Sequence, residues 1–157
     1  MVLIRGISAD GIDIYTHRTS RKGRDLAARP VAAMSLWWAP LERQVRFSGP
    51  MHPLDVATSA AYFATRPRAS QLGAWASAQG EPVADRATLE SALAAAESAH
   101  GADGPVPLPP HWGGYRLVPD RWEFWQGRQG RLHDRFEYRR TAKGSPDGPW
   151  EIVRLQP

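Results

Sequence analysis

The sequence predicts a mainly β protein with peripheral helices, an antiparallel sheet closing toward a barrel. Three observations predict it. Two apolar alternations flank an Asp-Gly turn at the start, a strong hairpin signal. Short strand-like runs bounded by Gly, Pro or Asp recur through to the end of the chain. These runs also outnumber the helices that could cover an open sheet. The 157 residues are read as a single domain, 1–157, because domains commonly run to roughly 100–200 residues.

Val2 to Ile7 and Ile12 to Thr16 form the arms of the hairpin, turning at Ser8-Ala9-Asp10-Gly11. Thr19 and Ser20 offer hydroxyl caps to a short helix that stops near Pro30. Val31 to Trp38 is apolar without alternation and reads as a strand buried on both faces. Glu42 to Ser48 reads as a half-exposed strand, with Gln44, Arg46 and Ser48 alternating against Val45 and Phe47. Asp55 to Thr65 has helix-forming composition and ends before Arg66-Pro67, where proline disfavours continuation. If its last turn persists, Tyr62 and Arg66 share a face. A short helix is expected over Gln71 to Ser77, and an Ala-rich one from Asp85 to His100, stopping at Gly101. Gly101 to Pro110 holds four prolines and reads as a loop. Trp112-Gly113-Gly114 reads as a turn with close packing rather than a cofactor platform, after which Tyr115 to Val118, Arg121 to Gln126, Leu132 to Tyr138 and Trp150 to Leu155 complete the strands.

With no Cys, thiolate zinc sites, iron–sulfur clusters, disulfides and cysteine nucleophiles are excluded. The five histidines stand singly without metal-ligand spacing, so no metal is expected. No apolar run approaches the roughly 20 residues of a membrane span, and the start lacks a signal-peptide pattern, so the expected location is the cytoplasm. The net charge of +4 permits an anionic partner. Dinucleotide and P-loop fingerprints and a G-x-S-x-G elbow are absent, as are a basic helix and an RNP-type strand, so nucleic acid is not an expected partner.

Three clusters could meet an anion. Thr19-Ser20-Arg21-Lys22 joins hydroxyls and cations to the free N–H groups of a helix start, an arrangement suited to a phosphate or to a solvated basic turn. Arg66-Pro67-Arg68 with Tyr62 and Ser70 has the same ingredients, and reads equally as a helix end with surface arginines. In Arg131-Leu132-His133-Asp134-Arg135, a strand period would send Arg131, His133 and Arg135 to one side, where they repel unless an anion or water meets them.

Leu41-Glu42-Arg43-Gln44-Val45, Tyr62-Phe63 with Arg66-Pro67-Arg68, Ser70 to Trp75, Val106-Pro107-Leu108-Pro109, Trp112 to Tyr115, and Glu123 to Gly127 leading to Arg131 through Arg135 follow one another in an order that resembles the pyridoxamine 5′-phosphate oxidase family. The resemblance runs almost continuously from Met1 to Pro157. It implies an FMN-binding split barrel, with residues 101–157 carrying the family's C-terminal dimerisation region, and a homodimer holding each FMN at the subunit interface. By position, Met1, Val2, Leu3, Ile4, Arg5, Tyr15, Thr16, Ser20, Arg21 and Lys22 would contact the cofactor. Gln44, Gln79, Gly80, Trp125 and Arg135 would complete that set, some of them from the partner subunit. Tyr62, Arg66 and Ser70 would hold the substrate phosphate, Arg5 would contact the substrate as well as the cofactor, and Arg131 and His133 would be the catalytic pair against the pyridine ring.

The implied reaction oxidises pyridoxamine or pyridoxine 5′-phosphate with oxygen to pyridoxal 5′-phosphate and hydrogen peroxide. Three departures from the family pattern accompany it. The segment that usually precedes the position of Met1 is expected to be absent, Arg5 stands in place of a lysine, and Gly80 in place of a serine. The rival readings are a flavin oxidase acting on a phenazine precursor and a non-catalytic FMN or pyridoxal-phosphate binding protein.

Overall fold

The computed structural model describes residues 1–141 and 148–157. Among them are eight strands and four helices: β1 Ile4–Ser8, β2 Gly11–His17, α1 Arg21–Ala28, β3 Val31–Trp38, β4 Arg43–Pro53, α2 Val56–Ala64, α3 Arg68–Ala76, α4 Arg86–His100, β5 Trp112–Leu117, β6 Arg121–Gln126, β7 Asp134–Arg140 and β8 Trp150–Arg154. The chain divides into two compact units, each gathered from separated stretches. The first holds Met1–Arg5, Asp13–Arg29 and Pro53–Tyr115; the second holds Gly6–Ile12, Pro30–His52 and Arg116–Pro157.

All four helices belong to the first unit, and side chains near in sequence set their starts. Ser20 Oγ accepts from the Gly23 N–H at the head of α1, Asp55 Oδ1 from Thr58 N at 2.6 Å, and Asp85 Oδ1 from Thr88 N at 2.8 Å. Each cap satisfies a donor that helix geometry leaves without a partner. Gln71 Nε2 donates to Phe63 O at 2.9 Å, closing the end of α2 against α3. Arg68, one turn earlier, donates to the carbonyls of His100, Gly101 and Gly104, which ties the exit of α4 to the start of α3. Phe63, Leu72, Ala74, Ala96, Val106 and Trp112 are the buried cluster beneath these helices.

Trp112-Gly113-Gly114 is not a turn but the start of β5. Gly114 donates to Ser59 Oγ at 3.1 Å and its carbonyl accepts from Leu54 N at 2.9 Å. A Cβ there would stand 2.6 Å from Leu54 Cδ1 and 2.7 Å from Tyr15. Close packing, not chain reversal, is what these glycines serve.

In the second unit β4, β6, β7 and β8 are antiparallel neighbours in that order, with β3 paired to β4. The row Trp37–Gln44–Trp125–Arg135 runs straight across four of these strands. β3 is not buried on both faces as its composition predicts. Ala32, Met34 and Leu36 turn inward, whereas Val31 and Trp37 remain 52% and 53% exposed. Continuous apolarity here marks a strand with one open apolar face, not a central strand. β7 starts at Asp134 rather than at Leu132, because Gln129–Arg131 form a 3-10 turn in which Gly130 (φ 66°) and Arg131 (φ 61°) are both left-handed. The strand period therefore does not extend to Arg131 and His133, and the expected shared face of Arg131, His133 and Arg135 is not formed.

Gly49, within β4, faces the backbone of the chain leaving β5: a Cβ would lie 2.2 Å from Val118 O. Gly49→Ala is expected to cost about 1–3 kcal/mol, the usual penalty of overpacking against a backbone that must shift, read as a lower urea midpoint at unchanged m-value.

Candidate functional site

The first unit carries a cleft of about 590 Å³. Three cationic side chains reach it, Arg5 from β1, Lys22 from the first turn of α1, and Arg66 just past α2. Tyr15 and Thr16 of β2, Tyr62 of α2, Ser70 of α3 and Gln79 add hydroxyl, phenol and amide groups. Met1, Val2 and Leu3 line it as well.

One side of the cleft is an aromatic stack. Tyr15 lies 4.0 Å from Tyr62 and 5.4 Å from Trp112, centroid to centroid and nearly parallel. The Arg66 guanidinium sits 5.0 Å over Trp112 and 5.5 Å from Phe63, contacts that fix its plane. Its Nη1 is buried without a hydrogen-bond partner. Burial, and then the charge of Arg5, hold the guanidinium below its usual pKa, while Tyr62 acts in the opposite sense. The turn after α2 persists through Arg66 N–H donating to Phe63 O at 3.1 Å, so Tyr62 and Arg66 reach the cleft together as their spacing predicts.

At another part of the cleft Gln79 Oε1 accepts from Thr16 Oγ1 at 3.0 Å and from Lys22 Nζ. Desolvation lowers the Lys22 pKa. Ser20 is buried: its hydroxyl caps α1, donates to His17 O at 2.7 Å and accepts from Lys22 Nζ at 3.3 Å, so it lies beside the cleft's ammonium without being among the cleft residues. Arg21, one residue on, is exposed, and neither it, Ile4 nor Gly80 is among the cleft residues.

Sequence reasoning missed His17 and Trp112 as cleft residues. His17 is 5% exposed, its Nδ1 has no partner, and its ring is 4.9 Å from that of His111. Burial first, then the charges of His111, Lys22 and Arg66, lower its pKa from 6.5 to about 4. Tyr15, Thr16 and His17 all line the cleft at the end of β2, so strand alternation alone did not single out His17.

The second unit gathers the remaining predicted residues. Trp125 lies 5.8 Å from Trp37 and 4.7 Å from the His133 ring, beside Gln44 and Arg135 in the cross-strand row. Arg128 N–H donates to His133 Nδ1 at 3.1 Å. In the neutral ring the proton therefore sits on Nε2, which is left as a donor. Arg131 is exposed at its left-handed position. Asp134 is gripped by Arg128 at 2.7 Å and by Arg154, and these partners hold its carboxyl below the usual range.

A mainly antiparallel β fold with a cationic cleft faced by stacked aromatics defines the class of protein suited to flat, anionic molecules. Comparison with known proteins makes this more specific. Residues 2–99 match the pyridoxamine 5′-phosphate oxidase family, and residues 112–157 match the pyridoxine 5′-phosphate oxidase C-terminal dimerisation region. A pyridoxine/pyridoxamine 5′-phosphate oxidase of Burkholderia lata is 52% identical over all 157 residues, which cover 72% of that protein. One from Acaryochloris marina is 50% identical over the same span, 69% of its length. Among solved structures, PhzG from Burkholderia lata in complex with tetrahydrophenazine-1-carboxylic acid matches with a TM-score of 0.85 and 31% identity, over 99% of this chain and 73% of that one. An FMN-binding, pyridoxamine 5′-phosphate oxidase-related protein of Nostoc punctiforme matches in fold, with a TM-score of 0.75 at 16% identity over 99% of this chain and 79% of that one.

The chain belongs to the pyridoxamine 5′-phosphate oxidase family of flavin oxidoreductases, and its fold is the FMN-binding split barrel. FMN is the cofactor of that family. The cleft's donor set suits such a group, because the Lys22 ammonium beside Thr16 and Gln79 matches phosphate oxygens and stacked rings match a flat aromatic. No helix among the described residues is long and apolar enough to cross a membrane.

His17 supplies a test of this electrostatic environment. Its folded pKa lies below its unfolded one, so between about pH 6.5 and 4 the unfolded chain holds the extra proton and stability falls as pH falls. In urea unfolding of the cofactor-free protein, His17→Gln is expected to flatten that part of the pH profile and leave the profile above pH 7 parallel to that of the parent.

Proposed function

We propose that the chain is an FMN-dependent oxidase of pyridoxamine and pyridoxine 5′-phosphates, using oxygen and releasing pyridoxal 5′-phosphate and hydrogen peroxide, within vitamin B6 metabolism in the cytoplasm. The observation that carries this reading is the buried, unpartnered Nη1 of Arg66, flanked in the cleft by Tyr62 and Ser70. A buried guanidinium nitrogen left unsatisfied is costly, and a phosphate oxygen supplies the missing acceptor.

On this reading Arg66, Tyr62 and Ser70 hold the substrate phosphate, with Arg5 completing the cationic wall. The stacking of Arg66 over Trp112 and Phe63 presents its fork in one orientation, so the anchored phosphate fixes where the pyridine ring lies. Lys22 with the Thr16–Gln79 pair forms the cofactor's polar contacts, assisted by Arg21 from the exposed first turn of α1. Gln44, Trp125 and Arg135 face the flavin from their cross-strand row. Bound FMN supplies the redox chemistry, accepting the electrons of the substrate C4′–H bond and passing them to oxygen.

Arg131 places a positive charge beside the pyridine ring, and His133 donates from Nε2 to it. Because Nδ1 already accepts from Arg128, His133 orients the ring rather than removing a proton. The chain is read as one domain that functions as a homodimer with FMN at the subunit interface. Support comes from the matched dimerisation region and from Phe124, Phe136 and Ile152, which lie exposed on its strands.

A second reading, oxidation of a phenazine precursor, is favoured by the likeness to PhzG, whose bound molecule carries a carboxylic acid. Arg66 can pair with either anion. Incubating FMN-loaded protein with oxygen and pyridoxine 5′-phosphate decides between them. Aldehyde absorbance with stoichiometric peroxide is expected, whereas no turnover of the phosphorylated substrate alongside turnover of a dihydrophenazine carboxylate would favour the second.

Arg66→Gln is expected to raise KM for the phosphorylated substrate by about 10–100-fold, the loss of one or two charge-assisted hydrogen bonds, with FMN affinity nearly unchanged. Arg131→Ala is expected to slow anaerobic flavin reduction by about 100-fold in stopped flow while the protein keeps its FMN. Lys22→Ala is expected to do the reverse, weakening FMN retention measured by fluorescence while leaving the reduction step of the loaded protein within a few fold.

A further inference from the structure

We infer that Glu123 is a positioning residue that aims Arg135 at the cofactor. The inference rests on the reading that Arg135 contacts FMN, and it concerns a residue with no part in that reading.

Glu123 lies in β6 and is 6% exposed, an unusual place for a carboxylate unless it is fully paired. Both oxygens are used. Oε2 accepts from Arg46 Nη2 at 2.8 Å, across the directly paired position of β4. Oε1 accepts from Arg135 Nε at 2.8 Å, on the diagonal of the β6–β7 ladder. The residue directly opposite Glu123 on β7 is the equally buried Glu137. Like charges so placed repel, and the pairing tolerates them because Arg121 and Arg139 hold Glu137 at 3.0 and 3.6 Å while Arg46 and Arg135 hold Glu123.

The two arms of Glu123 differ in consequence. Arg46 is 57% exposed and keeps most of its hydration whatever Glu123 does. Arg135 is 28% exposed. Its Nη1 donates to Gln156 O at 3.0 Å, and its partner across the ladder is Trp125. With Nε given to Glu123 and one Nη1 hydrogen to the Gln156 carbonyl, both Nη2 hydrogens are without a partner among the described residues and are open to a ligand. A guanidinium is a rigid planar fork, so fixing Nε and one Nη fixes where the remaining N–H groups point. Glu123 sets that direction and also balances a cation that would otherwise stand half-desolvated when no ligand is bound.

The test is a double-mutant cycle on FMN affinity, read by quenching of flavin fluorescence on the apoprotein, with the melting temperature of each variant alongside. Glu123→Gln, nearly isosteric, and Glu123→Asp, which keeps the charge but withdraws it from Nε, are each expected to weaken FMN binding about tenfold. In an Arg135→Ala background neither should weaken it further. Arg46→Gln, which frees the other oxygen, should leave FMN affinity within about twofold. Additive effects of Glu123→Gln and Arg135→Ala, or equal losses for Arg46→Gln and Glu123→Gln, would overturn the inference by making Glu123 a general support of the sheet. Wild-type FMN affinity in Glu123→Asp and Glu123→Gln overturns it while leaving the reading of Arg135 intact. Wild-type affinity in Arg135→Ala overturns both.

Discussion

A guanidinium that gives up water needs an anion, and the two units of this protein meet that requirement in opposite ways. In the second, buried carboxylates answer it: Glu123 takes Arg46 and Arg135, and Glu137 takes Arg121 and Arg139. In the first, Arg66 is desolvated against Trp112 and Phe63 with one nitrogen left over, and the charges nearest it in the cleft are also positive. The carboxylates of the second unit satisfy its guanidinium groups within the sheet. Arg66 in the first unit is left with an unsatisfied donor, the physical content of the proposed anion site.

Backbone geometry prepares the rest. Gly114 lets β5 lie close to Tyr15 and Leu54 and Gly113 leaves room for the Arg18 side chain, and Trp112 beside them joins the stack with Tyr15 and Tyr62. The consecutive left-handed residues Gly130 and Arg131 reverse the chain ahead of β7, freeing His133 from the strand so that its Nδ1 meets the Arg128 N–H. A non-glycine residue held at positive φ costs about 1 kcal/mol or more and tends to persist at functional sites. Arg131, the proposed catalytic cation, is such a residue. The tandem Trp37-Trp38 of β3 and the exposed Phe124, Phe136 and Ile152 leave apolar surface on the unit that includes the matched dimerisation region.

Much of the fold was legible because its signals are local. Asp-Gly at 10–11, the cap Ser20, the proline following Arg66 and the stop at Gly101 each act within a few residues, and the elements they bound fall within a residue or two of expectation. The errors arose where a neighbour distant in sequence decides. Val31 to Trp38 is apolar enough for a central strand, yet pairs only with β4 and leaves one face open. Trp112-Gly113-Gly114 has turn composition, yet packing against Ser59, Leu54 and Tyr15 extends it. In the cleft, spacing set Tyr62 and Arg66 on one face and the family pattern added Ser70, whereas the burial of His17 and the unpartnered Nη1 of Arg66 depend on neighbours distant in sequence.

Short-range periodicity in the sequence by itself determined a mainly antiparallel β class and the separate basic clusters, and the order of its motifs carried the resemblance to the family that implied the split barrel and FMN. Tertiary structure decided which cations stay unpaired. Arg66 and Arg135 are the same residue type in similarly basic surroundings, but long-range contacts bury one against aromatic rings without an acceptor and hand the other a glutamate. Partnering across strands and helices depends on desolvation and register, and neither is set within the few residues over which a sequence pattern acts.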